Sequence, residues 1–428
     1  MDILIKNVKA ILPEKTANNL SVYISNGVIV SLDFPPVGFN ADKIIDGTNK
    51  LLAPGFVNAH THAYMSALRN KADDLSFMTW LFDNVMIMEN KLTEEDAYWS
   101  MQLGCMEMLA SGVTSFLDMH MFPNVTARAA VDSGMRAVLT RGLQGGRDSM
   151  EGGLLRLKQA TDDINNFKGI ETLGFMLAPH APYTCDDYYL KEVAALADEL
   201  HVGINTHLSE SADEQKTIME RYNMTPTQLF DSCGILRKNT VCAHCVYLSK
   251  KDMDILAARG TSVAHNPASN MKLGNGFADV VSMRRHGINV CIGTDGAASN
   301  NNQSMLREIQ LAALIHKGTS NDPTAITASE VFEMATLNGA RALGLSDKVG
   351  EIRVGKRADL AMYDLTFPGF FPLGDAKSAL CYSSAGLRAD TVLVNGRILL
   401  ENGEYKTIDA EKVRFKINEL TKRLGYED

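Results

Sequence analysis

The chain has 428 residues, 45% of them hydrophobic and 22% charged, and a formal net charge of −9. This composition supplies a sizeable core and excludes disorder. An acidic balance with no compensating basic run argues against a nucleic-acid partner and for a small-molecule substrate. Seven scattered cysteines fit reduced thiols better than a disulfide framework. The segment Met1–Leu20 is interrupted by Asp2, Lys6, Lys9, Glu14 and Lys15, so it lacks a secretory apolar core. Nothing approaches the roughly 18 uninterrupted apolar residues of a membrane span. The expected location is cytoplasmic, without a membrane partner. No short-period repeat appears, and the 21 methionines read as filler of core gaps.

The length exceeds one ordinary domain and suits an α/β barrel of about 250 residues with a smaller companion. From Ile3 to Leu32 apolar and polar residues alternate in short bursts around Asn26-Gly27, a hairpin signal. Ala358 to Tyr363 reads as a strand, and Thr391 to Leu400 as a hairpin around Asn395-Gly396. Isolated hairpins are marginal, so the two chain ends are expected to pair. They would form a composite β-sandwich domain over 1–53 and 356–428, bracketing a catalytic domain over 54–355.

Within that middle region eight apolar runs alternate with helical patterns. The runs are Gly55–His62, Gly112–Met119, Arg136–Leu143, Thr172–His180, Val202–Glu210, Thr240–Cys245, Thr261–Pro267 and Asn289–Asp295. Connections such as Asp186–Leu200 and Lys250–Arg259 are long enough for crossover helices. The fold class is therefore α/β, a (β/α)8 TIM-like barrel, with an open doubly wound sheet as the alternative that pattern leaves open.

The ionisable residues collect at the ends of these runs. His60 and His62 close the first, His180 the fourth, His207 and Glu210 the fifth, His244 the sixth, His265 the seventh and Asp295 the eighth. In a barrel they meet at the C-terminal mouth, where such folds place their chemistry. Residues i and i+2 of a strand share a face, so His60 and His62 can converge on one ion. With His207 and Asp295 they form a ligand set suited to one divalent metal, Zn2+ first and Fe2+ as the alternative, with a position left for water. Glu210 has the carboxyl needed to move protons, and His244 the ring to orient or stabilise the nucleophile. By contrast His201, His286, His120 and His316 have no supporting context. Cys242 and Cys245 lack a second pair at zinc-finger spacing and read as apolar filler. The small zinc-deaminase signature of His-x-Glu with Pro-Cys-x-x-Cys is absent.

The stretches ending in Asn-Ala-His60-Thr-His62, Thr206-His-Leu-Ser-Glu210, Ala243-His244, His265 to Gly274, Gly293-Thr-Asp-Gly296 and Val354 to Leu360 resemble the amidohydrolase superfamily. The closest resemblance is to the 5-methylthioadenosine and S-adenosylhomocysteine deaminases. That likeness implies a mononuclear site, since Thr172–His180 has no lysine to bridge a second ion. It implies hydrolytic deamination of an adenine nucleoside (S-adenosylhomocysteine, 5-methylthioadenosine, 5-deoxyadenosine or adenosine) to the inosine analogue and ammonia. Glu210 would protonate ring nitrogen 1, Asp295 take a proton from water and His244 steady the nucleophile. Trp80, Glu89, Arg141 and His180 match the positions that shape the nucleoside pocket: Glu89 for the ribose hydroxyls, His180 for a ring nitrogen and Arg141 for the 5′ substituent. Arg147 or Arg156 would supply a second arginine. The rivals are a related hydrolase of guanine, an oxidised purine, a pterin or a triazine, and an inactive metal-binding scaffold. A homo-oligomer is compatible with all of them.

Overall fold

The computed structural model describes residues 1–425. Seventeen strands form two sheets. In chain order they are β1 (Asp2–Ile11), β2 (Thr16–Ser25), β3 (Val28–Leu32), β4 (Lys43–Asp46), β5 (Lys50–Pro54), β6 (Phe56–Thr61), β7 (Val113–His120), β8 (Arg136–Leu143), β9 (Leu173–Pro179), β10 (Gly203–Leu208), β11 (Thr240–His244), β12 (Ser262–His265), β13 (Asn289–Ile292), β14 (Leu360–Asp364), β15 (Ala389–Val394), β16 (Arg397–Glu401) and β17 (Glu404–Tyr405).

Strands β6 to β13 pair in sequence, all parallel, as the eight apolar runs anticipate. Helices such as Asp187–Leu200 and Lys250–Arg259 cross between them. The ring closes at its upper rim: the N–H groups of Thr294 and Asp295 donate to the His60 carbonyl at 3.1 and 3.0 Å. Asn58 reinforces this seam, its amide donating to Thr294 Oγ1 at 2.8 Å and its carbonyl accepting from Thr294 N at 3.0 Å. Close approach here requires glycine at 293, because a Cβ there would lie 2.4 Å from Asn266 Oδ1 and 2.8 Å from the His60 carbonyl. The parallel alternative of an open sheet is thereby set aside.

The second sheet runs β17-β16-β15-β14-β5-β1-β2-β3, with β4 alongside β1. Its two halves come from the two chain ends and join where β14 lies antiparallel to β5. Lys50–Pro54, the joining strand, is not apparent as a separate element in the sequence because it runs straight into the first barrel strand. The two hairpin turns are seated against each other. Asn26, Gly27, Asn395 and Gly396 all have positive φ, the type I′ geometry, and a Cβ on Gly396 would come within 2.7 Å of Gly27 Cα.

Period-two alternation sorts the sheet's faces. Leu52, Leu360, Met362 and Leu393 join Ile3, Ile5, Val22 and Ile24 in a core of the sheet's own. Leu51, Ala53, Ala361, Tyr363, Val392 and Val394 point the other way, into the cluster shared with the barrel. The helix Ala410–Arg423 leaves the sheet and lies against Glu94–Ala110 of the barrel, with Val413 and Leu420 buried and Lys416 paired to Glu95 at 3.0 Å. Among the described residues no helix is long and apolar enough to cross a membrane, and all seven cysteines are free and buried.

One buried ion pair fastens the barrel's lower rim to the sheet. Arg136, at the start of β8, donates to both oxygens of Asp359 at 2.8 and 3.1 Å, and Asp359 also accepts from Asn395 N at 2.7 Å. Both side chains are almost fully buried. Arg136→Met is expected to leave Asp359 charged and unpaired and to cost about 3–5 kcal/mol, read from urea unfolding. A loss under about 1 kcal/mol would mean the pair merely offsets its own desolvation.

Candidate active site

Four side chains converge at the closed rim. His60 and His62 come from the end of β6, His207 from β10 and Asp295 from the residues after β13, and one ligand atom from each lies within 4.8 Å of all the others. Two rings have their tautomers fixed from behind. His62 Nδ1 donates to the Met119 carbonyl at 2.9 Å, and His207 Nδ1 to the His180 carbonyl at 2.7 Å. Their Nε2 atoms are therefore bare, and they face each other at 3.3 Å. Asp295 Oδ1 lies 3.4 Å from His62 Nε2 and 3.5 Å from His60 Nε2, while among the described residues neither ring nitrogen of His60 has a hydrogen-bond partner.

Such a cage of inward lone pairs repels itself unless a cation occupies it. Burial favours the neutral form that ligation needs at two of the rings: it lowers His60 to about 4 and holds His207 well below its usual range. For Asp295 burial acts in the opposite sense, but the surrounding rings of His60, His244 and His62 prevail and hold the carboxyl well below normal. Its Oδ2 accepts from the Ser269 and Ser299 hydroxyls at 2.7 Å each, which fixes Oδ1 toward the histidines. The donor set thus fits one divalent ion. Cys242 and Cys245 are separate from it, and the Cys245 thiol points back to the Cys242 carbonyl.

Beside this cage stands a buried acid. Burial, with the Asp295 charge second, raises Glu210 well above the usual carboxyl range, against the pull of Asn275, whose amide donates to Glu210 Oε1 at 3.1 Å. His244 presents Nε2 3.7 Å from Glu210 Oε2, its ring held by Nδ1 donating to Asn270 Oδ1 at 2.8 Å. The backbone bends sharply here. Ser209, His244, Cys245 and Asp295 all have positive φ, a cost of order 1–3 kcal/mol each that tends to persist where function requires it. Ser209 and Glu210 donate their N–H groups to the two oxygens of Glu214 at 2.7 and 2.9 Å, which anchors the bend. These left-handed residues are also why the strands stop short of the run ends expected at Glu210, Cys245 and Asp295.

A cleft opens above the cage, lined by apolar and aromatic side chains with a few polar groups among them, the lining typical of a small-ligand site. Trp80, Glu89, His180, Glu210 and His244 all line it, so widely separated sequence positions do meet. Trp80 stacks near Phe77 with ring centroids 6.0 Å apart and donates its indole N–H to the Ala298 carbonyl at 3.2 Å. Trp80 and Glu89 belong to the long excursion between β6 and β7, where Thr79–Val85 forms a π-helix. Burial raises Glu89, although Tyr64, His62 and Arg141 pull it down. Burial lowers His180 to about 3, and its Nδ1 lies 3.1 Å from Thr184 Oγ1.

Three arginines are placed otherwise. Arg141 lies behind the cleft wall, its guanidinium taken up by Gln159 at 3.2 Å and by the Gly142 carbonyl. Arg156 donates to the carbonyl of Gln144, itself a lining residue, at 3.1 Å. Arg147 is exposed and paired to Asp187 at 2.9 Å. His265 ends β12 as expected but turns away from the cleft to His316, with their Nε2 atoms 3.2 Å apart. His120 is buried 3.6 Å from Asp163. Sequence reading missed Tyr64, Tyr183, Ser269, Ser299, Asn270 and Asn275. The last four lie in or close beside quoted motif stretches, and their polarity at rim positions was the available signal.

The chain matches the Amidohydrolase family over residues 51–399. It is 41% identical, over 99% of both chains, to a 5-methylthioadenosine/S-adenosylhomocysteine deaminase of Thermoanaerobacter pseudethanolicus. It is 42% identical, over 87% of each, to a 5'-deoxyadenosine deaminase of Methanothermobacter thermautotrophicus. A crystal structure of an adenosine deaminase from Xanthomonas campestris with bound zinc superposes with a TM-score of 0.93 at 31% identity, covering 100% of this chain and 99% of that one. A histidine-rich cage at the rim of a parallel barrel and this near end-to-end likeness agree, and the chain belongs to the amidohydrolase family.

Proposed function

We propose that the protein hydrolytically deaminates an adenine nucleoside, releasing ammonia and the inosine analogue. The observation that carries this reading is the buried Glu210 carboxyl set beside the His60, His62, His207 and Asp295 cage in one cleft. These four residues would hold one divalent ion, for which zinc is the proposal because three imidazoles and a carboxylate suit it. When bound, such an ion supplies a water acidified to near neutral pH.

The chain's own groups then set the reaction's course. Water adds to carbon 6 of the adenine, and ring nitrogen 1 must accept a proton as aromaticity is lost. Glu210 Oε supplies that proton, since burial favours the protonated form of its carboxyl. Asp295 receives one proton from water and passes it to the amine; the bond between carbon 6 and that amine then breaks to release ammonia, and the carbon 6 hydroxyl forms the carbonyl as its proton returns to Glu210. His244, fixed by Asn270, keeps its Nε2 toward Glu210 and steadies the charge that develops there. Trp80 and Phe77 provide an aromatic wall for the base, His180 meets a ring nitrogen, and Glu89 accepts from the ribose hydroxyls. Arg141 backs this wall from outside the cleft, and its charge acts on Glu89.

Glu210→Gln is expected to keep its full metal content while kcat for 5-methylthioadenosine falls by about 10²–10⁴. Near-normal turnover in that variant would remove the proton-donor role. Exhaustive chelation is expected to abolish ammonia release and, because the emptied cage leaves repelling lone pairs, to lower the thermal midpoint, with both restored by added zinc. Full activity in a chelated, metal-free sample, verified by elemental analysis, would overturn the assignment of the cage.

A further inference from the structure

The Glu89 carboxylate has a partner that the reaction itself does not require. Tyr64 lies in the short 3-10 helix Ala63–Leu68, directly after the cage residues His60 and His62, and its hydroxyl donates to Glu89 Oε1. Among the described residues this phenol is the one side chain hydrogen-bonded to that carboxylate. The ring is only 1% exposed and is wedged against Phe122, with ring centroids 5.8 Å apart. Tyr64 and Glu89 both line the cleft. Tyr64 stands at the start of the excursion between β6 and β7 and Glu89 near its middle, so their bond ties that midpoint back to the end of the strand that carries the cage histidines.

A glutamate's terminal torsion is broad and roughly two-fold, so a buried carboxylate without a donor has no single orientation. A phenol that cannot turn away removes this freedom: one oxygen is occupied and the other is left for a ligand hydroxyl. We propose that Tyr64 is a positioning residue that fixes Glu89 as an oriented acceptor and so makes the enzyme selective for nucleosides with an intact 2′,3′-diol. The inference rests on the reading of Glu89 as the ribose acceptor and adds to it the group that determines how strictly the sugar is read. A hydroxyl that is needed to complete a buried hydrogen-bonding site discriminates strongly against analogues lacking it, because the site is then left unpaired.

The test compares adenosine with 2′,3′-dideoxyadenosine by ammonia release on the metal-loaded wild type, Tyr64→Phe and Glu89→Ala. The wild type is expected to prefer adenosine by about a hundredfold or more in kcat/KM, and Glu89→Ala to bring the ratio near one. Tyr64→Phe removes one oxygen and keeps the ring, so its thermal midpoint should stay near that of the wild type. Its ratio should fall about tenfold, the size of one hydrogen bond to a charged group, through a raised KM for adenosine. Its kcat for the dideoxy analogue should be unchanged, which a general structural defect would not spare. A wild-type ratio in Tyr64→Phe together with a collapsed ratio in Glu89→Ala overturns the positioning role alone. A wild-type ratio in Glu89→Ala overturns the ribose reading, and the Tyr64 inference with it.

Discussion

Everything at the site depends on two peptide N–H groups sharing one carbonyl. Thr294 and Asp295 both donate to His60, and this closure brings a carboxylate from the eighth barrel strand against two imidazoles from the first. Without the seam the ligands would stand on the two free edges of a sheet. With it, three rings and a carboxylate are buried together with lone pairs aimed at a common point. Lone-pair repulsion and left-handed backbone at Ser209, His244, Cys245 and Asp295 are stored there. The glycine at 293 and the serines at 269 and 299 make that storage geometrically feasible.

The same economy appears in how the rings are held. Each ligating histidine with a partnered Nδ1 gives it to a main-chain carbonyl, of Met119 or His180, so strand geometry itself sets the tautomer. Main-chain acceptors cannot titrate or swing away. Side-chain carboxyls are used where protons must move, and Glu210 accepts from an amide, Asn275, which can bond but not compete for the proton.

Legibility from sequence followed the range of the governing interaction. The eight barrel strands were readable because each is an apolar run with a local boundary, and the cage was readable because strand ends in a parallel barrel share one rim. His265 illustrates the limit. Its position at the end of β12 was evident, but the direction of its ring depends on His316, far along the chain. Arg141 likewise lies near the end of β8, at a position the resemblance assigned to the 5′ substituent, yet Gln159 and the Gly142 carbonyl decide where its guanidinium goes. Tyr64 escaped notice because a tyrosine beside a metal motif carries no pattern of its own until Glu89 is placed next to it.

The abutting turns at Asn26-Gly27 and Asn395-Gly396 bear on how the molecule is made. Strand β5 precedes the whole barrel in synthesis, whereas its antiparallel partner β14 follows it. Until that partner emerges, Leu51, Leu52 and Ala53 have no sheet neighbour on one side, and an unpaired apolar edge is where off-pathway association starts. Pairing across such a sequence separation is slow to nucleate, because the intervening chain must be ordered first. Completion of the barrel shortens that search: it brings the two ends of the remaining chain to the same rim and lets the second half of the sheet close as a local event.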